Sequence, residues 1–124
     1  MSEILFVQYP ACTTCKKAKA WLNSLGVQYV ERDIKTDNPS LDELSAWYRR
    51  SGLPLKRFFN TSGLAYKSMN LKDKLPTMSD TEQLSLLASD GMLVKRPILV
   101  AGDIVIPGFK EELWREALTG AGAI

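Results

Sequence analysis

The residues that most constrain the fold lie between Ile4 and Asp33. A short apolar run, Ile4-Leu5-Phe6-Val7-Gln8-Tyr9, is closed by Pro10 and has the length and composition of a buried strand. Ala18, Trp21, Leu22 and Leu25 then recur at i, i+3, i+4 and i+7, which puts them on one face of a helix. Gly26 stands where such a helix would end in a left-handed residue. Only a tight turn separates strand from helix. Val27 to Asp33, VQYVERD, alternates as a second strand does. Two strands joined through a helix run parallel with a right-handed crossover, so the chain opens on a β-α-β unit.

The middle of the chain changes character. Ser40 with Glu43, and Ser79 with Glu82, have the spacing of a capping box, and each precedes a helical apolar stripe: Leu41, Leu44, Trp47 and Tyr48 in one, Leu84, Leu87 and Ala88 in the other. Between them SGLPLKRFFNTSG is broken by Gly52, Pro54 and Gly63, which predicts short helical turns joined by loops. Pro97-Ile98-Leu99-Val100 and Ile104-Val105-Ile106 flank Ala101-Gly102-Asp103, an apolar hairpin, and Leu113, Trp114, Ala117 and Leu118 mark a last helix. A length of 124 residues suits one domain. The expected fold class is therefore α/β: a single domain over residues 1–124, β-α-β then β-β-α around a mixed sheet, with a helical insertion at about 38–92. That order, with a C-x-x-C pair ending the first strand and a proline opening the third, is the layout of thioredoxin-like folds. Trp21, Trp47, Tyr48 and Trp114 fall on apolar helical faces and read as core rather than as a binding platform.

Both cysteines of the chain, Cys12 and Cys15, sit at that first turn, within YPACTTCKKAK. They can be read as a redox pair, as half of a metal site, or as two small residues packed side by side. Zinc needs three or four nitrogen or sulfur ligands, and a chain with two cysteines and no histidine would have to borrow the rest from a second chain. The missing histidine also removes a Cys-His hydrolase, so whatever activates a thiol here must be electrostatic. A tyrosine-phosphatase type of cysteine needs an arginine six residues on, where this chain has Ala18 and Trp21. For a redox pair the placement is right. Cys12 falls at the N-cap of the helix, where unpaired N–H groups and the positive end of the macrodipole favour thiolate, and Lys16, Lys17 and Lys19 add charge. Cys15, one turn in, is placed to be buried and to attack a Cys12 adduct.

Composition narrows the setting. The chain is 45% hydrophobic and 24% charged with a formal charge of +2, too weakly basic to argue for direct nucleic-acid binding. No apolar stretch approaches the ~20 residues of a membrane span, and MSEILFVQYP lacks the basic leader of a secretion signal. A cytoplasmic location with no membrane partner is the expectation, and there a close cysteine pair is catalytic or metal-binding more often than a structural staple.

YPACTTCKKAKAWL, VERDI, GLPLKRFFNTSG, and KRPILV followed by a Gly-Phe pair together resemble the arsenate reductase family of thioredoxin-fold proteins, over almost the whole chain. That family includes the glutaredoxin-coupled arsenate reductases and the Spx regulators. The middle segment is closer to the reductase branch. The resemblance implies a helical insert in a thioredoxin-like fold, a cis Pro97, and an oxyanion-binding role for Arg96, whose plainer reading is a surface salt bridge. The reductases' arginine from the insert falls at Lys56, with Arg57 beside it, and their third arginine meets Pro107-Gly108-Phe109-Lys110. Those reductases typically use one cysteine in this motif, where this chain has two.

The function expected is a monomeric, cytoplasmic thiol-disulfide oxidoreductase. Cys12 is the nucleophile on a disulfide or on an oxyanion such as arsenate, and Cys15 resolves the adduct. Arg96, with Lys56 or Arg57 and beside Pro97, holds the anionic part of the substrate. No bound cofactor or metal is implied, and glutathione, glutaredoxin or thioredoxin would serve as reductant. The alternative is an Spx-like redox switch that binds the RNA polymerase α subunit, for which Gly52 could match the regulators' contact glycine or simply end a helix.

Overall fold

The computed structural model describes residues 3–124. In chain order its elements are β1 (Ile4–Gln8), α1 (Thr13–Ser24), β2 (Val30–Asp33), α2 (Leu41–Ser51), α3 (Leu64–Ser68), α4 (Leu71–Lys74), α5 (Asp80–Ser89), β3 (Ile98–Ala101), β4 (Ile104–Pro107) and α6 (Glu111–Gly120), with 3-10 turns at Leu55–Phe58, Leu75–Thr77 and Gly91–Leu93. They fall into two compact units: one runs up to Asp33 and resumes over Arg96–Ile124, and the other is Ile34–Lys95.

The first unit is built on a four-stranded mixed sheet in the order β2-β1-β3-β4. β1 pairs with β2 in parallel, Leu5 opposite Val30 and Gln8 opposite Asp33. β1 and β3 are antiparallel, with Val7 opposite Ile98, as are β3 and β4, with Ile98 opposite Pro107. Alternation along the strands sends Ile4, Phe6, Leu99 and Ala101 into one core with Ala18 and Leu22 of α1 and Trp114, Ala117 and Leu118 of α6. Each fully buried Leu or Phe there contributes ~1.5–3 kcal/mol. Trp114, with no exposed surface, also donates its indole N–H to the Gly108 carbonyl at 2.9 Å, so its one polar atom is not stranded. Gly102, in the two-residue hairpin turn, has φ +61°, a region open to glycine at little cost.

The second unit is helical. Both capping boxes form: Ser40 accepts the Glu43 N–H and Ser79 the Glu82 N–H, and each glutamate returns a bond to its serine's N–H. Leu44, Trp47, Leu55, Phe58, Leu71, Leu84 and Leu87 are buried in it. The expected insertion of 38–92 lies inside this unit. Gly52 closes α2 in the left-handed region at φ +66°, as its helix-ending reading requires.

Three expectations are corrected. The second strand begins at Val30 rather than Val27, because the Val27 N–H still bonds the Leu22 carbonyl while Gly26 bonds Asn23, so Val27 belongs to the Schellman cap of α1. The third strand begins at Ile98, after the proline. Of the four aromatics expected in the core, Trp47 and Trp114 are buried, whereas Trp21 and Tyr48 are half-buried, Tyr48 donating its hydroxyl to Asp80 at 3.1 Å.

Candidate active site

The turn between β1 and α1 carries both thiols. Pro10 and Ala11 lead into it, and the Cys12 N–H donates to the Tyr9 carbonyl at 3.0 Å, which closes the turn. Cys12 is then the N-cap of α1, with extended backbone (φ −80°, ψ 123°), and its sulfur accepts the Cys15 N–H at 3.4 Å. A sulfur atom thus does what a serine or aspartate oxygen usually does at a helix start. The Cys12 sulfur is half-buried. Cys15, one turn along, is 1% exposed and receives the Tyr9 N–H on its own sulfur at 3.5 Å. Both thiols are free.

Their surroundings drive the two sulfurs apart in acidity. Burial works to raise the Cys12 thiol, but it is outweighed by hydrogen bonds from the Cys15 thiol and N–H, by the Arg96 charge and by the Thr14 N–H, and the value ends below that of an ordinary thiol. Burial pushes Cys15 up to about 12; the Tyr9 N–H opposes this, and the neighbouring Cys12, to which Cys15 donates, reinforces it. One thiol is an anion in waiting and the other a buried acid. Of the basic side chains, Arg96 is the one that acts on Cys12. The expected contribution of the lysines on α1 is corrected: Lys16 and Lys17 are exposed, and Lys19 is engaged with Glu31 at 3.0 Å. Glu31 also accepts from Gln8, 7% exposed, at 2.8 Å, which ties the end of β1 and the flank of α1 to β2 just before the thiols.

Arg96 is half-buried, and its guanidinium carbon lies 5.1 Å from the centre of the Tyr9 ring. The Arg96-Pro97 bond is cis, as the family resemblance implies. Pro97 is buried, and its carbonyl accepts the Gly108 N–H at 2.7 Å, fastening the head of β3 to the end of β4. Cys12, Cys15, Arg96 and Pro97 are thereby brought into one unit. Lys56 and Arg57 belong to the other, exposed on the 3-10 turn Leu55–Phe58, where Lys56 borders a hollow of about 370 Å³ with Tyr48, Tyr66, Lys72 and Asp80. Lys110, exposed, stands at the N-cap of α6. Sequence reasoning passed over Tyr9, which bonds the Cys12 backbone N–H and the Cys15 sulfur and lies against the arginine; the only signal was an aromatic beside the proline of the turn.

A mixed sheet with a dithiol at its first strand-to-helix turn and a cis proline just ahead of the third strand defines a thioredoxin-fold protein. The sequence profile of the ArsC family matches residues 7–117. The chain belongs to the ArsC family. It is 53% identical over 92% of its length to YusI of Bacillus subtilis (strain 168), covering 97% of that protein, and 28% identical over 88% of its length to the global transcriptional regulator Spx of Staphylococcus aureus (strain Mu50 / ATCC 700699), covering 82% of it. Among solved structures, an ArsC family related protein from Bacteroides fragilis superposes with a TM-score of 0.90 at 53% identity, covering 93% of this chain and 97% of that one. A possible arsenate reductase from Streptococcus mutans UA159 superposes with a TM-score of 0.84 at 43% identity, covering 93% and 99%.

Proposed function

We propose that the protein is a dithiol oxidoreductase of the arsenate-reductase type, acting in the cytoplasm on an oxyanion such as arsenate or on a disulfide. The observation that carries this is the unequal pair: a half-exposed Cys12 held below the ordinary thiol value at a helix N-cap, with a buried Cys15 pushed up to about 12 one turn behind it. An attacking thiolate and a protonated reserve thiol are what a two-step exchange needs. On arsenate, the Cys12 sulfur displaces one oxygen as water and forms an S–As bond. Cys15 then gives up its proton and attacks the Cys12 sulfur. The S–As bond breaks with its electron pair going to arsenic, so arsenic is reduced by two electrons and the two thiols become a disulfide. On a disulfide substrate the Cys12 attack expels one thiol and leaves a mixed disulfide, and the Cys15 attack on the Cys12 sulfur closes the internal disulfide and releases the second thiol. Glutathione, glutaredoxin or thioredoxin would return the pair to dithiol. Arg96 supplies positive charge for the substrate anion and for the charge that develops in transfer.

Thiol titration with arsenate tests this. Arsenate-dependent loss of both thiols, with a product two hydrogens lighter by mass spectrometry, supports the reading, and a Cys15→Ser variant that stalls as a Cys12 adduct assigns the order. A Cys12 that alkylates with the pH profile of a free thiol, ~8.5, would remove its basis. The likeness to Spx favours one second reading, a redox-sensing regulator that binds the RNA polymerase α subunit. Its discriminating result is diamide-dependent capture of the α subunit without arsenate-dependent thiol loss.

A further inference from the structure

One residue meets both cysteines of this turn and Arg96. The Tyr9 carbonyl accepts the Cys12 N–H, its N–H donates to the Cys15 sulfur, and its ring lies 5.1 Å from the Arg96 guanidinium carbon. The first two contacts are made by backbone and are open to any residue. The third depends on the side chain. A guanidinium attracts an aromatic ring through its flat face, while all five of its N–H donors lie in its plane and point outward from the edge. Stacking on a ring therefore does not compete with binding an anion. It leaves the donor edge open and restricts which way that edge faces.

We propose, building on the oxidoreductase reading above, that Tyr9 is a positioning residue for Arg96: its ring takes one face of the guanidinium and turns the donor edge toward the Cys12 sulfur and the anionic group of a substrate. Arg96 has further interactions of its own, so the ring narrows its orientations rather than holding it alone. A cation over a ring at a half-exposed site biases such an equilibrium about two- to fivefold. The Arg96 charge already acts on Cys12, which makes that thiol a reporter of where the guanidinium points.

The test is pH-dependent alkylation of Cys12 in a Cys15→Ser background, comparing Tyr9→Leu, Tyr9→Phe, Arg96→Gln and the Tyr9→Leu/Arg96→Gln double variant. Tyr9→Leu is expected to raise the midpoint by about half a pH unit, about threefold less thiolate below it. Tyr9→Phe, which keeps the ring, restores the original midpoint. In the Arg96→Gln background Tyr9→Leu changes nothing further. An equal shift with and without Arg96 would place the effect in the turn itself and overturn the proposal, as would Tyr9→Phe behaving like Tyr9→Leu. Circular dichroism melts show which variants fold, and Tyr9→Met, of similar reach without a ring, replaces Tyr9→Leu if that one does not. A parent protein with an ordinary Cys12 thiol sinks the oxidoreductase reading; a perturbed thiol indifferent to Tyr9 sinks only this one.

Discussion

Cys15 is the residue whose ionisation the fold resists most, because its sulfur is buried and faces another sulfur. A folded-state value raised from 9.0 to about 12 means that the stability tied to the neutral thiol is complete below pH 9 and is lost as the pH climbs toward 12. Cys12 has the opposite sign: its contribution is present above the unfolded value and is lost as the pH falls through its lowered folded value. The reduced protein is therefore expected to lose melting temperature between pH 9 and 12 more steeply than Cys15→Ala, whose cost in packing does not vary with pH. Thermal scans under reducing conditions across that range check it; parallel slopes would contradict it. At this scale the site was partly legible. Two cysteines at a strand-to-helix turn announce which sulfur caps the helix and which is buried one turn in, since helix geometry alone decides which sulfur meets the free N–H groups. The identity of the activating cation was not, because Arg96 is distant in sequence and reaches Cys12 only through strand pairing, whereas the lysines are near in sequence and face solvent.

The helices of the insert owe their starts to single side chains. Ser40→Ala should remove one oxygen acceptor and cost ~1 kcal/mol, and Ser79→Ala a similar amount, seen as shifted denaturant midpoints at unchanged slope. Gly91 is held more tightly: a Cβ there would collide with the Ile34 carbonyl, and backbone cannot yield as a long side chain can. Gly91→Ala is expected to cost ~1–3 kcal/mol in the same measurement. Elements with their own punctuation were readable from sequence. The capping boxes, the Gly52 terminus and the Gly102 turn are local signals, and each element stands where its signal lies. The start of β2 was not readable. Val27 has the apolar character of a strand residue, but its N–H is spent on the helix before it and its side chain joins the core beside Leu22. Periodicity records burial, and here burial and strand pairing part company.

Across the whole chain, the sheet-bearing unit depends on one aromatic centre. Trp114 stacks edge-on against Phe109 at 4.9 Å and Phe6 at 6.1 Å between ring centres. Trp114→Ala should cost ~3–5 kcal/mol, a large part of the ~5–15 kcal/mol that keeps a domain folded, and urea unfolding followed by circular dichroism is expected to show a markedly lower midpoint. The same unit holds the reactive turn, and there the sulfur that terminates α1 is also the atom that would carry every covalent adduct. Once bonded to a partner it gives up the negative charge that grips the Cys15 amide, so the helix is uncorked by the event that modifies it. Hydrogen exchange at that single amide would then report occupancy of the thiol, whatever the substrate proves to be.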